Sequence, residues 1–304
     1  MRIIAVFTLL LAVSLTVPVN AQTFGGIGTR AEGMAGAFVA VADDASAVYW
    51  NPAGIATGSI FDLQVSGSGE SAVFVGAALP VLGAGYYRTR EVIGLPTVPE
   101  PPDRQTGGSG EVHVRALALS NFGVTVVQTV ATGVVLGTTA RAVRGNLDNE
   151  ETRTTYDFDA GAMVSVWRMR FGVTGRNLRE PTFGSGEDLV RLTRQFRVGA
   201  ALVPRALPKG IHGPFSLAFD ADLTTTPDVR GERRSAAVGG EYWFAGGWIG
   251  ARGGIQWNTL NTSQTAFSGG ATVKLPRSFF AEGQLTKERD VEDPTWIIGG
   301  RVTF

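Results

Sequence analysis

The stretch Phe215-Ser216-Leu217-Ala218-Phe219-Asp220-Ala221-Asp222-Leu223 decides the fold class of this chain. Apolar side chains occupy every second position, and small or acidic side chains occupy the positions between them. In a β-strand this period of two places the apolar residues on one face and the acidic residues on the other. A helix would need apolar residues three and four positions apart, so the stretch predicts a strand.

The same alternation recurs from about residue 60 to the end of the chain, in short segments separated by glycine, proline, asparagine and aspartate. An even number of segments puts both ends of a closed barrel on one side, with short turns there and longer loops opposite. The predicted strands are 60–68, 71–79, 81–90, 119–130, 133–144, 155–168, 170–178, 192–203, 213–223, 234–244, 247–258, 264–275, 278–287 and 295–304.

Two architectures use this alternation: a soluble β-sandwich buries its apolar face, whereas a membrane barrel turns that face outward to lipid. The polar face here carries glycine and charges of both signs, which suits a crowded, wet lumen. Aromatic residues gather near the predicted strand ends, as in the girdles of membrane barrels. We therefore predict an all-β fold, a transmembrane antiparallel β-barrel of about 14 strands. The expected lumen charge network comprises Arg141, Asp157, Asp159, Arg170, Arg176, Arg197, Asp220, Asp222 and Arg252.

The last nine residues alternate up to a terminal aromatic, with Trp296, Ile298, Val302 and Phe304 on one face. This pattern resembles the C-terminal signal by which bacterial outer-membrane barrels are recognised for insertion. The resemblance implies two partners, the barrel-assembly machinery and outer-membrane lipid.

The N-terminus resembles a secretory signal peptide: Arg2, the apolar run 3–17, and a small-residue site that ends at Ala21. A membrane anchor helix is the alternative, but the run is short for a bilayer and Pro18 follows it directly. We expect cleavage after Ala21 and a location in the outer membrane of a Gram-negative cell. The chain then divides into a signal peptide (1–21), an N-terminal segment (22–59) and a barrel (60–304).

Composition excludes several classes of function. The 304 residues contain no cysteine and two histidines, and 27 basic residues balance 27 acidic ones. Thiol catalysis and zinc-thiolate sites are therefore excluded, and a nucleic-acid partner, which would favour a basic excess, is not expected. The carboxylate pairs Asp157/Asp159 and Asp220/Asp222 could perform acid–base chemistry, but their arginine-rich setting predicts a static charge network. We expect no enzyme activity, no cofactor and no metal.

Residues 22–59 do not alternate, and small side chains dominate them. Asp43 and Asp44 are expected to cap a short helix over 45–50, because aspartate accepts hydrogen bonds from free helix N–H groups. Asn51-Pro52-Ala53-Gly54 predicts a turn, since Pro52 restricts φ and Asn51 can bond neighbouring backbone groups. An ordinary surface turn is the simplest interpretation of these four residues.

These blocks also carry a family resemblance. Gly33-x-x-Gly36-Ala37, then Asp43-Asp44 and Asn51-Pro52-Ala53-Gly54, resemble the N-terminal signature of the FadL-type outer-membrane transporter superfamily, above all its PorV/PorQ-like branch. The resemblance implies a 14-stranded barrel whose N-terminal segment folds inside as a hatch or plug. The turn at Asn51 would then link the plug to the first strand.

Two functions follow as hypotheses. The first is passive transport of small hydrophobic compounds across the outer membrane, with an apolar ligand in a lumen that Met163, Trp167, Trp243 and Trp248 help to line. Gly83 and Gly85 would kink the third strand and open a side exit. The second is a structural role in the assembly of a type IX-like protein-secretion apparatus, with secretion-system proteins as partners.

Overall fold

The protein is described by a computed structural model that covers residues 25–68, 72–95, 113–147, 151–184, 189–203, 214–228, 231–260, 264–289 and 291–304. The predicted signal peptide (1–21) and its cleavage site after Ala21 lie outside these described residues.

Fourteen antiparallel strands close into one barrel, which confirms the predicted fold. The first and last strands pair to close the barrel, with Leu63 opposite Val302. In chain order the barrel strands are β1 (Asp62–Ser68), β2 (Ala72–Leu79), β3 (Leu82–Leu95), β4 (His113–Ala131), β5 (Val134–Leu147), β6 (Arg153–Val166), β7 (Met169–Arg176), β10 (Gln195–Leu202), β11 (Phe215–Asp222), β14 (Ser235–Phe244), β15 (Ile249–Asn258), β16 (Thr265–Leu275), β17 (Phe279–Glu288) and β18 (Thr295–Thr303).

Two further hairpins, absent from the sequence prediction, lie in the longer connections. They are formed by β8 (Thr182–Phe183) with β9 (Val190–Arg191), and by β12 (Thr226–Asp228) with β13 (Gly231–Arg233). Strands of two or three residues are too short to show a period of two. We call the end of the barrel at which β1 begins and β18 ends the terminal end, and the opposite end, which carries both hairpins, the loop end.

Alternation along each strand separates two surfaces. Outward positions hold exposed apolar side chains such as Leu136, Phe158 and Phe219, while inward positions hold buried polar ones such as Arg141 and Asp157. The apolar surface is thus on the outside, the reverse of a soluble sandwich. A lipid bilayer is the solvent that suits such an exterior.

The N-terminal segment lies inside this barrel, and we call its described part, residues 25–59, the plug. It contains α1 (Thr29–Gly33), α2 (Ala47–Trp50) and a 3-10 helix (Pro52–Thr57). The main hydrophobic core lies between the plug and the inner wall, with Ile27, Phe38 and Trp50 fully buried. No helix in the described ranges is both long and apolar enough to span a membrane.

Candidate functional site: the plugged lumen

The 3-10 helix of the plug lies directly against glycines of the wall. A side chain at Gly137 would collide with the backbone of Pro52 and Ala53, and one at Gly161 would collide with Asn51. Gly172 similarly faces the carbonyl of Val39. Glycine at these inward positions lets the plug backbone approach the strands more closely than any larger residue would allow.

Asn51 forms hydrogen bonds both within the plug and to the wall. Its Oδ1 accepts a hydrogen bond from the Ala53 N–H at 3.2 Å, and its Nδ2 donates to the carbonyls of Val39 at 2.9 Å and Ala162 at 3.3 Å. Pro52 starts the 3-10 helix, and Ala53 and Gly54 are buried with it. The predicted turn exists, but it is a buried element of the lumen and not an ordinary surface turn.

The predicted kink at Gly83 and Gly85 is wrong. Strand β3 keeps its register here, with Gly83 paired to Ala78 on one side and to Thr125 on the other. A Cβ at either glycine would come within 3 Å of a Val48 methyl group. These glycines therefore make room for the plug, and the wall shows no side exit at them.

On the opposite wall the plug is held by charge. Arg30 of α1 is paired with Glu241 of β14 at 2.9 Å and with Asp43 of the plug itself, and Asp44 lies at 3.5 Å. Arg252 of β15 reaches the same Glu241 at 3.2 Å. Burial lowers the pKa of Arg30, but attraction to Asp43, Glu241 and Asp44 outweighs burial and raises that pKa well above its ordinary value.

The two aspartates expected to cap a helix over 45–50 divide. Helix α2 begins after Ser46, whose own side chain does not cap it. Asp44 Oδ1 accepts from the N–H of Ser46 at 2.9 Å and from its hydroxyl, so Asp44 caps the turn that leads into α2. Asp43 does not cap it: its carboxylate points to Arg30 and, at 3.7 Å, to Arg170 of β7, because a full positive charge attracts a carboxylate more strongly than the end of a one-turn helix.

Glu32 is the half-buried carboxyl of α1. It accepts a hydrogen bond from the Gly26 N–H at 2.6 Å. Burial raises the pKa of Glu32 to about 7, although that hydrogen bond and the positive charges of Arg197 and Arg233 act in the opposite direction.

A second charge cluster lies on the inner faces of β5, β6 and β7. Arg141 is paired with Asp157 and, at 2.9 Å, with Asp159, and Arg176 lies 3.8 Å from Asp159. Arg176 also stacks on the Tyr49 ring of the plug, 3.7 Å from its centroid. The cluster is fully buried, so it crosslinks neighbouring strands and supports the plug at the same time.

A third cluster joins β10 and β11 to the middle of the plug. Asp220 Oδ2 accepts from the N–H groups of Phe38 and Val39 at 2.8 and 2.7 Å. Arg197 is paired with Asp222 at 2.6 Å and donates to the Gly36 carbonyl at 3.3 Å. All nine residues predicted to form a lumen network thus lie on inward positions, distributed over separate clusters.

The prediction missed several partners in these clusters. They are Glu241, Glu282 and Asp62, the wall carboxylates at the terminal end, and Arg30 of the plug. Alternation could have placed Glu241 in the lumen, since it lies two residues from Gly239 and Trp243 on the same face. Within the described residues, no group of three or more metal-binding side chains is present.

The four apolar residues predicted to line the lumen divide into two pairs. Met163 is buried, and Trp243 points inward against Phe280, with 6.2 Å between ring centroids. Trp167 and Trp248 are 82% and 52% exposed, so for them the prediction is wrong. Both lie in short turns at the terminal end, where the alternation of the strand stops; Trp167 has a positive φ of 56°.

The C-terminal residues lie on the outer surface. Trp296, Ile298 and Phe304 are exposed, and Val302 faces outward beside Leu63. Phe304 stacks on Phe61, with 6.0 Å between ring centroids, and their backbones exchange two hydrogen bonds. The insertion signal predicted here stays a prediction, but its side chains are accessible from the side of the barrel.

A small apolar cluster lies at the loop end of the barrel, on the inner side of β4 and β5. It combines inward residues of β4 and β5 with the hairpin β8–β9, and a Cβ at Gly145 would collide with the Phe183 ring. The members, all buried, are Leu117, Leu119, Val143, Leu147, Phe183, Val190 and Leu192. We call this the loop-end cluster.

The fold is shared with known channels. Similar structures include the CymD monoaromatic hydrocarbon channel (TM-score 0.63, 11% identity, 93% of this chain and 99% of that chain). They also include the Pseudomonas putida toluene transporter TodX (0.60, 9%, 93% and 98%) and a Pseudomonas aeruginosa FadL homologue (0.59, 11%, 93% and 98%). At these identities the likeness shows a common fold, the closed 14-stranded barrel.

Sequence comparison identifies a family. No curated protein matches the chain. Residues 11–222, well over half of its length, match the family described as "F plasmid transfer operon, TraF, protein". On that match, this 14-stranded barrel belongs to the TraF family.

Proposed function

We propose that the protein resides in the outer membrane and carries small hydrophobic compounds passively across it. The observation that supports this most is the loop-end cluster, an apolar surface that lies at one mouth of a plugged barrel under a two-stranded cover. Ligand sites for apolar compounds are concave and mostly apolar, with few polar groups. The known channels CymD and TodX, which share the fold, are described as acting on a monoaromatic hydrocarbon and on toluene.

Hairpin β8–β9, which covers the loop-end cluster, is small enough to move. Hairpin β8–β9 consists of two-residue strands, and an isolated two-stranded hairpin is marginally stable in water. Its contribution to the cluster is Phe183, Val190 and the adjacent Leu192. Displacing the hairpin would expose Leu117, Leu147 and their neighbours to a compound arriving from outside.

Beyond the cluster, the plug lies in the lumen. A compound would then pass between the plug and the wall as the plug shifts. The compound does not leave through a side opening in β3, because this strand is regular at Gly83 and Gly85.

The proposal includes insertion into the outer membrane by the barrel-assembly machinery, which would recognise the outward-facing Trp296, Ile298, Val302 and Phe304.

The test is uptake of labelled toluene and labelled oleate by cells that contain the wild type, a Phe183→Asp variant, or no protein. We expect the wild type to accelerate uptake of at least one compound and Phe183→Asp to reduce that gain several-fold, because a buried charge disrupts the apolar cluster. Val291→Asp, an exposed change on a loop at the same end, is the matched control. Equal uptake by cells with and without the protein would refute the proposal.

An assembly role, related to the PorV/PorQ-like resemblance, is the second candidate. The observation that favours it is the lumen itself: plug, charge clusters and loop-end cluster occupy it with buried side chains. The family description, which refers to a plasmid transfer operon, is also compatible with a multiprotein apparatus. Co-purification of a stoichiometric partner after crosslinking in cells would support this role, and isolation of the barrel alone would count against it.

A further inference from the structure

A cavity of about 430 Å³ opens at the terminal end, between the plug and the inner faces of β14 and β16–β18. Trp243, Lys274, Phe280, Arg301 and Asp62 line it from the wall, and Arg30 lines it from the plug. It is separate from the loop-end cluster on which the proposed transport function rests. Its volume lies within the range of sites for small molecules, about 300–1,000 Å³.

Arg301 is a buried cation that lies near three carboxylates without forming a hydrogen bond to any of them. Its side chain is 10% exposed, and the nearest carboxylate oxygens belong to Glu282 at 3.6 Å, Asp44 at 3.7 Å and Asp62 at 4.0 Å. All three distances exceed a hydrogen bond, and within the described residues Nε has no hydrogen-bond partner. Such a buried donor costs free energy unless something accepts from it.

Lys274 and Arg301 both lie near the aromatic ring of Phe280. The Lys274 Nζ is 5.9 Å from the centroid of Phe280, and the Arg301 guanidinium is 4.8 Å from that centroid. The Trp243 ring meets Phe280 edge to face, at an interplanar angle of 83°. The two cations therefore flank Phe280 from the strands on either side of it, since Phe280 pairs with Lys274 on β16 and with Arg301 on β18.

Two of the carboxylates that line the cavity are held by other arginines. Glu241 is held by Arg30 and Arg252, and Asp43 by Arg30 and Arg170. Asp62 accepts a hydrogen bond from the Ala45 N–H at 2.9 Å through Oδ1, while its Oδ2 lies 4.0 Å from Arg301. Within the described residues neither Arg301 nor Lys274 donates a hydrogen bond to a carboxylate, so their donors can turn to an incoming anion.

We propose that this cavity binds a small planar aromatic anion, such as an aromatic carboxylate. The anionic group would accept charge-assisted hydrogen bonds from Arg301 and Lys274, and the ring would stack against Phe280 and Trp243. Nothing in the proposed transport function requires this site. Binding here would place the ligand against Arg30 and the charged face of the plug.

The experiment is isothermal titration calorimetry of the full-length protein in detergent micelles with 2-naphthoate, and with its neutral analogue 2-naphthamide. We expect naphthoate to bind at least about tenfold more tightly than naphthamide, since a hydrogen bond to a charged group contributes about that factor. Lys274→Gln, which removes one cation without breaking an ion pair, should reduce naphthoate affinity about tenfold and leave naphthamide affinity unchanged. Phe280→Leu should weaken both.

Lys287→Gln is the matched control, because Lys287 is an exposed lysine of the next strand at the loop end, bonded to the carbonyls of Val291 and Glu292. Its affinity for naphthoate should equal that of the wild type. Equal affinities for naphthoate and naphthamide, or full naphthoate affinity in Lys274→Gln, would overturn the proposal. Each variant is first compared with the wild type by heat-dependent gel mobility, so that only folded barrels are titrated.

Discussion

The plug is held differently on two sides. Against β3–β7 the backbone of residues 51–53 lies on wall glycines, Gly137 and Gly161 among them. Against β14–β18 helix α1 is held by the ion pair between Arg30 and Glu241 and by a hydrogen bond that the Thr29 hydroxyl donates to Glu282. Residues 51–53 are thus held by shape, and helix α1 by charge and hydrogen bonding, with the Met34 carbonyl packed on Gly239 and Gly254 just after the helix.

This difference between the two sides predicts which part of the plug can move. Close backbone packing is lost abruptly, because there are no alternative partners at a slightly greater distance. Residues in a buried ionic network can exchange partners. Arg30 already faces Asp43, Asp44 and Glu241, and Arg252 also pairs with Glu241. We infer that the β3–β7 side is the fixed side of the plug and the α1 side the mobile one.

The largest effect is expected on the fixed side. Gly137→Ala should lower the free energy of unfolding by more than about 4 kcal/mol or release the plug, because the new methyl group meets plug backbone that cannot turn aside. Urea unfolding in micelles and protease protection of residues 25–57 measure the two outcomes. Gly283→Ala, an outward glycine with open space around its Cβ position, should change stability by less than about 0.5 kcal/mol. Equal stability of the two variants would contradict the steric account.

A smaller and more local effect is expected on the charged side. Glu241→Gln leaves Arg30 and Arg252 without their shared carboxylate, which should destabilise α1 docking by about 3 kcal/mol. Hydrogen–deuterium exchange should then quicken at residues 29–33 and stay slow at 52–57. Thr286→Val, a neutral change on β17, serves as the control. Uniform acceleration along the whole plug would show that its two sides do not move separately.

The smallest effect concerns pH. Because burial raises the pKa of Glu32 from 4.5 to about 7, the docked plug binds this proton more tightly than the unfolded chain does. The contribution of Glu32 to stability is therefore greatest below pH 4.5, falls as the pH rises toward 7, and is constant above that. Exchange at residues 26–33 should quicken over this window in the wild type and be flatter in Glu32→Gln, relative to pH-matched peptide controls. Identical pH profiles would contradict the assignment.

The barrel could be predicted from sequence because inward and outward positions differ in polarity along every long strand. The segment predicted at 213–223 is β11 (Phe215–Asp222), and that predicted at 247–258 is β15 (Ile249–Asn258). Strands β3 and β4 extend past the predicted bounds of 81–90 and 119–130, to Leu95 and back to His113. Alternation fails at turns, which is why it misplaces Trp167 and Trp248 in the lumen.

The site could be predicted only in part. Alternation places Arg141, Asp157 and Asp220 in the lumen, but it does not reveal their partners. Arg30 and Glu241 are 211 residues apart, and only the closed barrel brings them together. The plug has no period at all, so its position came from a family resemblance. Its contact with Gly137 depends on the register between strands, which single segments do not encode.

The central claim is that residues 25–59 close the barrel, and ion conductance tests it most directly. We predict that the purified wild type, inserted into a planar lipid bilayer in 1 M KCl, shows no steady conductance, and that Gly137→Ala, if it inserts with a displaced plug, shows discrete open steps. A steady, pore-sized conductance in the wild type would contradict the account.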